Sequence, residues 1–105
     1  MKEITATELK QRLDNKENFQ LIDVREPYEH EQVSIGGELI PVGSILNEVE
    51  KISKDKDVVI YCRSGSRSGA VIHELEKRHG FSNLINLKGG ILAYARDLDN
   101  SLTPY

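Results

Sequence analysis

The chain holds one cysteine, Cys62, and it is followed directly by Arg63, Ser64, Gly65, Ser66, Arg67, Ser68 and Gly69. Small residues and glycine let a backbone curl until several N–H groups point at one centre. Helical spacing begins at about Arg67, so the stretch also gains the unpaired N-terminal donors and the positive end of a helix. The product is an anion cradle with a thiol on its floor. The same donors stabilise a thiolate, so Cys62 should ionise more readily than a free cysteine. A lone cysteine is often only a small hydrophobe closing a strand. The arginine- and serine-rich loop attached to this one supplies the electropositive setting that a reactive thiol requires. Cys62 is therefore the candidate catalytic residue, and Arg63, Ser64, Gly65, Ser66, Arg67 and Ser68 are the candidate substrate-binding loop.

Several chemistries use a thiol in this way. A thioredoxin-like redox site needs a second cysteine three positions on, and the next three residues are Arg63, Ser64 and Gly65. A cysteine phosphatase carries five residues between its cysteine and arginine, usually with histidine before the cysteine. Here Arg67 follows after four intervening residues and Tyr61 stands in front. The shorter loop makes a tighter bowl, better matched to sulfur than to a tetrahedral phosphate. A Walker-type phosphate loop lacks both its spacing and its Gly-Lys-Ser/Thr ending. His30, His73 and His79 have no triad-like spacing to Cys62 and read as surface or structural residues.

The elements that must position this loop alternate between two rhythms. Short β-rich runs occur at Phe19–Val24, Leu39–Val42, Val58–Tyr61 and Leu84–Leu87, with a brief one around Ile4. Between them, Thr5 and Glu8 form a capping box for a helix that carries Leu9 and Leu13. Glu26-Pro27 opens a second helix. Ile45, Val49 and Ile52 predict a third, and a longer one runs from about Arg67 to His79, stopped by Gly80 with Phe81 packing back on it. The last follows the Gly89-Gly90 turn, and the tail Ser101–Tyr105 reads as a frayed or lightly docked end. Nearly continuous apolar strands between helices imply an α/β fold, a mostly parallel sheet covered on both faces. Ligands then bind beyond the carboxyl ends of the strands, which is where Cys62 follows Tyr61.

At 105 residues, with no repeat or linker, residues 1–105 read as one domain with a thin core. The formal net charge of −3 speaks against a nucleic-acid partner. No run approaches the ~20 apolar residues that span a bilayer. An N-terminus without a signal-peptide core and a single unpaired cysteine point to a cytoplasmic protein, expected to be a monomer with no metal site. Asp23 and Arg25 close a strand and read as structural support, with Arg25 expected to pair with Glu29 beside the site. Arg67 opens a helix, where a cation gains nothing from the dipole, so an anion is expected near it.

Three segments, in order, carry a family resemblance: LIDVREPYEHE (Leu21–Glu31), VVIYCRSGSRS (Val58–Ser68) and NLKGGILAYA (Asn86–Ala95). Together they resemble the single-domain rhodanese-like sulfurtransferases from about Thr5 onward. Two places depart from the common pattern. Ser34-Ile35-Gly36-Gly37-Glu38 replaces a His-Ile-Pro-Gly-Ala-like stretch, and Tyr94 replaces a tryptophan. The resemblance implies a five-stranded sheet flanked by helices on both faces. It also implies that Cys62 takes sulfur from thiosulfate or a persulfide donor and passes it to a thiophilic acceptor, cyanide in an assay or a thiol or protein in the cell, with no cofactor. A protein-to-protein sulfur relay would use the same residues. A non-catalytic module of this fold would be expected to lack the loop cysteine.

Overall fold

The computed structural model describes residues 1–104. Its elements are β1 (Lys2–Ile4), α1 (Ala6–Asp14), β2 (Gln20–Asp23), α2 (Pro27–Gln32), β3 (Glu38–Leu39), α3 (Val42–Ile45), β4 (Val58–Tyr61), α4 (Ser66–His79), β5 (Leu84–Leu87) and α5 (Gly90–Leu98). The five strands form one sheet in the order β1-β5-β4-β2-β3, and every pairing is parallel. No helix among the described residues is long and apolar enough to cross a membrane.

The two-residue period of a strand sorts the central strand onto two cores. Val58 and Ile60 pack with Ile22, Val24, Ile72, Leu75 and Phe81. Val59 and Tyr61 pack with Ile4, Leu9, Leu87 and Ile91. Thus α3 and α4 cover one face while α1 and α5 cover the other. Each fully buried aliphatic side chain contributes about 1.5–3 kcal/mol. Cys62 continues the alternation of β4, so its side chain emerges on the α4 face, inside the first core.

Local chemistry fixes the helix ends as the sequence predicts. The Thr5 N–H donates to the Glu8 carboxylate at 2.9 Å, and Thr5 Oγ1 accepts from the Glu8 N–H at 3.1 Å. Gly80 closes α4 with φ +69°, and Phe81 returns to the core. Residues 99–102 form a turn, with the Leu102 N–H donating to the Asp99 carbonyl. Tyr105, the end of the expected frayed tail, lies outside the described residues.

Two expectations are corrected. Ile45, Val49 and Ile52 do not share one helix: α3 ends at Ile45, and a separate 3₁₀ turn spans Val49–Lys51. The Asn47 and Glu48 N–H groups bond three residues back, to Ser44 and Ile45, which tightens the chain out of α-helical register. Ile45 and Ile52 are buried nonetheless, so the apolar spacing reported burial and not continuity. The strand expected at Leu39–Val42 is shorter and earlier, because Pro41 has no N–H to give the ladder.

The entry to α5 fixes the chain that leaves β4. The Ile91 N–H donates to the Cys62 carbonyl at 2.9 Å, and the Leu92 N–H donates to the Arg63 carbonyl at 3.0 Å. Gly90 sits directly against this stretch with φ +63°, and a Cβ there would lie 2.6 Å from the Cys62 carbonyl oxygen and closer still to the Arg63 carbonyl. Neither atom can yield without breaking a bond to α5. Gly90→Ala is therefore expected to cost about 1–3 kcal/mol or more. Gly43, in α3 at ordinary φ with open space around it, is the matched control. Gly43→Ala should be neutral or stabilising by about 0.5–1 kcal/mol. Chemical denaturation of the two variants reads both signs.

Candidate functional site

The loop after β4 builds a bowl around the Cys62 sulfur. Gly65 stands at the N-cap of α4 with φ +100°, a left-handed conformation open to glycine, and turns the chain into the helix. The Gly65 N–H then points at Cys62 Sγ from 3.0 Å, and the Ser68 N–H points at it from 3.4 Å. The Ser68 hydroxyl is a third group at 3.3 Å. Burial pushes the Cys62 thiol up, but the Ser68 hydroxyl and the N–H groups of Ser68, Gly65 and Ser64 outweigh it, so the thiol lies below its ordinary value. Cys62 is only 1% exposed, so whatever reacts with it must reach the floor of the bowl.

The remaining loop side chains do not meet the sulfur. Ser64 and Ser66 face each other at the exposed rim, hydroxyls 3.5 Å apart. The Arg63 side chain is exposed, with no ion pair or hydrogen bond among the described residues. Arg67, expected to face an anionic substrate, is instead paired within the protein: its Nη1 and Nη2 donate to Glu29 Oε1 and Oε2 at 2.8 and 3.0 Å.

That pairing corrects the expected Arg25–Glu29 contact. Arg25 instead donates to Asp23 through Nε and Nη2, the closest approach being 2.8 Å, and Nη2 also reaches the Val33 carbonyl at 2.7 Å. The reason is a local turn: the chain bends at Arg25 just past β2, its own N–H donates to Asp23 Oδ1 at 3.0 Å, and Asp23 is thereby the nearer carboxylate. Glu29, on a helix, turns toward α4. Asp23 also meets His30 Nδ1 at 2.8 Å, and the Arg25 guanidinium lies over the Tyr61 ring. The Tyr61 hydroxyl donates to the Gly36 carbonyl at 2.8 Å. Asp23, Arg25 and Glu29 are all buried, and removing one partner from such a pair costs about 3–5 kcal/mol. This lattice ties β2, α2 and residues 33–36 to the strand that carries Cys62.

Sequence reasoning missed Asn86. It is the polar residue in the otherwise apolar run of β5, and that break was the available signal. Asn86 Oδ1 lies 2.6 Å from the Ser68 hydroxyl, and Asn86 Nδ2 donates to the Gly65 carbonyl at 3.1 Å. A hollow of about 790 Å³ between α1, the start of β2 and residues 50–56 includes none of the loop residues. Its walls mix Arg12, Lys16 and Lys56 with Glu17, Glu50 and Asp55 and converge on no reactive group.

The rhodanese-like domain family matches residues 5–97. A sulfurtransferase of Allochromatium vinosum is 43% identical over 90% of this chain and 88% of its own length. A probable adenylyltransferase/sulfurtransferase, MoeZ of Mycobacterium tuberculosis, is 39% identical over 97% of this chain, which spans only 26% of that protein. The rhodanese-like domain protein of Staphylococcus aureus superposes with a TM-score of 0.79 at 32% identity, covering 90% of this chain and 91% of the other. The match runs from the cap of α1 to the last turn of α5 and takes in the Cys62 bowl and its supports, and on that extent the chain belongs to the rhodanese-like domain family, whose relatives here are named for sulfur transfer.

Proposed function

We propose that this chain is a sulfurtransferase that carries sulfane sulfur as a persulfide on Cys62. The observation that carries the reading is the convergence of the Gly65 N–H, the Ser68 N–H and the Ser68 hydroxyl on one nearly inaccessible sulfur. In the first step the thiolate attacks the outer sulfur of thiosulfate. A new S–S bond forms, the old one breaks, and its electron pair departs with sulfite. In the second step a nucleophile attacks the outer sulfur, which leaves with it, and the electron pair of the S–S bond returns to Cys62. No external oxidant or reductant enters either step. This is covalent catalysis with a stored anionic intermediate, and the loop N–H groups are its preorganised donors. The depth of the sulfur favours a donor with a thin terminal sulfur over a bulky tetrahedral group.

The two arginines divide the electrostatics. Arg67 is committed to Glu29 and holds the start of α4 against α2. Arg63 remains the rim cation able to meet an anionic donor. The Arg67 guanidinium holds the Glu29 carboxyl down at about 2, against the upward push of burial. A carboxylate lowered in this way stabilises the fold at pH above its ordinary value, and that contribution is lost as pH falls toward about 2.

Thiocyanate formation from thiosulfate and cyanide, compared between wild type and Cys62→Ser, tests the function. Turnover should vanish in the variant, and thiosulfate alone should add about 32 Da, one sulfur, to the wild type. A stable adduct without cyanide turnover would indicate a relay to a protein acceptor. No adduct would sink the persulfide reading. Arg63→Ala should raise KM for thiosulfate about two- to fivefold, with stability unchanged and the effect shrinking in salt. Glu29→Gln should instead cost about 2–3 kcal/mol at pH 7, discounted for the partly exposed Arg67, and should flatten the loss of wild-type stability between pH ~4.5 and ~2. Denaturation midpoints across that range distinguish the two roles.

A further inference from the structure

Asn86 occupies a strand buried along its whole length and is itself 5% exposed. Its Nδ2 faces the Gly65 carbonyl, which can only accept, so the atom facing Ser68 is Oδ1. An amide oxygen cannot donate. The 2.6 Å contact is therefore attractive only when the Ser68 hydroxyl proton lies on it. The same hydroxyl stands 3.3 Å from Cys62 Sγ, and a serine has one hydroxyl proton.

With Cys62 as a neutral thiol, both contacts are satisfied in series. The S–H donates to Ser68 Oγ, and the Ser68 O–H donates to Asn86 Oδ1. Ionisation breaks the series. If the hydroxyl proton stays on Asn86, the thiolate faces oxygen lone pairs; if it turns to the sulfur, the Ser68 and Asn86 oxygens face each other unbridged at 2.6 Å. The backbone donors of Gly65 and Ser68 carry no such conflict, because each serves the sulfur alone.

We propose that Asn86 is a positioning residue that competes with the Cys62 sulfur for the Ser68 proton and so keeps the thiol less acidic than its bowl would otherwise make it. Its value for sulfur transfer rests on the function proposed above. A thiolate with higher proton affinity is the better nucleophile toward a donor and the poorer leaving group when sulfur is passed on. Asn86 thus weights the cycle toward loading. In the persulfide the inner sulfur is uncharged, and the Ser68 proton rests on Asn86. As sulfur departs and charge returns to the inner sulfur, the hydroxyl rotates to meet it.

A plain structural brace predicts the opposite sign. Asn86 holds the Gly65 carbonyl, and losing that grip would loosen the N–H donors and make the thiol weaker as an acid. The pH dependence of Cys62 alkylation by iodoacetamide separates the two, and it needs no sulfur donor. Asn86→Ala should move the midpoint down by about half to one pH unit, and Ser68→Ala should move it up by a similar amount. In the Ser68→Ala background, Asn86→Ala should have no further effect. Asn86→Ser, whose side chain is too short to span the same contact, should shift the midpoint in the same direction as Asn86→Ala and serves if that variant does not fold. With thiosulfate and cyanide, at a pH above the alkylation midpoints of both proteins, Asn86→Ala should load more slowly and discharge faster. A midpoint that rises or stays put, an equal shift in both Ser68 backgrounds, or loss of folding in both Asn86 variants would overturn the proposal. Absence of sulfur transfer with the predicted alkylation shifts intact would instead count against the function alone.

Discussion

A peptide group carries its N–H and its C=O in opposite directions, so a bowl of inward N–H donors exists only if the matching carbonyls find partners outside it. In this protein α5 meets that requirement for the Ser64 N–H, whose peptide carbonyl is that of Arg63, and α5 and β5 hold the carbonyls on either side of it. The Cys62 and Arg63 carbonyls accept from the first free N–H groups of α5, and the Gly65 carbonyl accepts from Asn86 and from the Gly69 N–H within α4. A helix N-terminus must satisfy its leading donors somewhere, and the loop carbonyls need donors. Each solves the other's problem. The missing side chain at Gly90 allows the approach, and the pairing of β4 with β5 sets the distance.

Charge is arranged around this framework in two tiers. Asp23, Arg25 and His30 form a group that closes the end of β2, while Glu29 and Arg67 join α2 to α4. Both tiers are close pairs, so neither leaves a strong net field at the sulfur. Much of the stabilisation of an anionic sulfur therefore comes from backbone dipoles and one hydroxyl. The backbone donors among them act at short range and are held in orientation by the loop itself.

The parts legible in the sequence are those set by neighbours a few residues away. Thr5 and Glu8 announce a helix start, VVIY a buried strand, Gly80 a helix end, and Cys62 through Ser68 an anion-holding turn. What was not legible depends on residues far apart in the chain. Glu29 finds Arg67 across 38 positions, and Ser68 finds Asn86 across 18. No local rule ranks the four carboxylates near Arg25, whereas the fold does so at once by bending the chain at Arg25 onto Asp23. The break between α3 and the following 3₁₀ turn was hidden for a related reason. A helix and a broken pair of turns can bury the same apolar residues, and only backbone hydrogen bonds tell them apart.

The strand order also has a consequence in time. The first strand of this sheet in chain order, β1, pairs only with β5, the last. During folding, Cys62 and its loop cannot reach their final arrangement before the segment that receives their carbonyls has joined the sheet beside β4. Until α5 docks, the Cys62 and Arg63 carbonyls lack the N–H groups that hold them. The chain around the sulfur is thus held in its final path only once the last helix is in place.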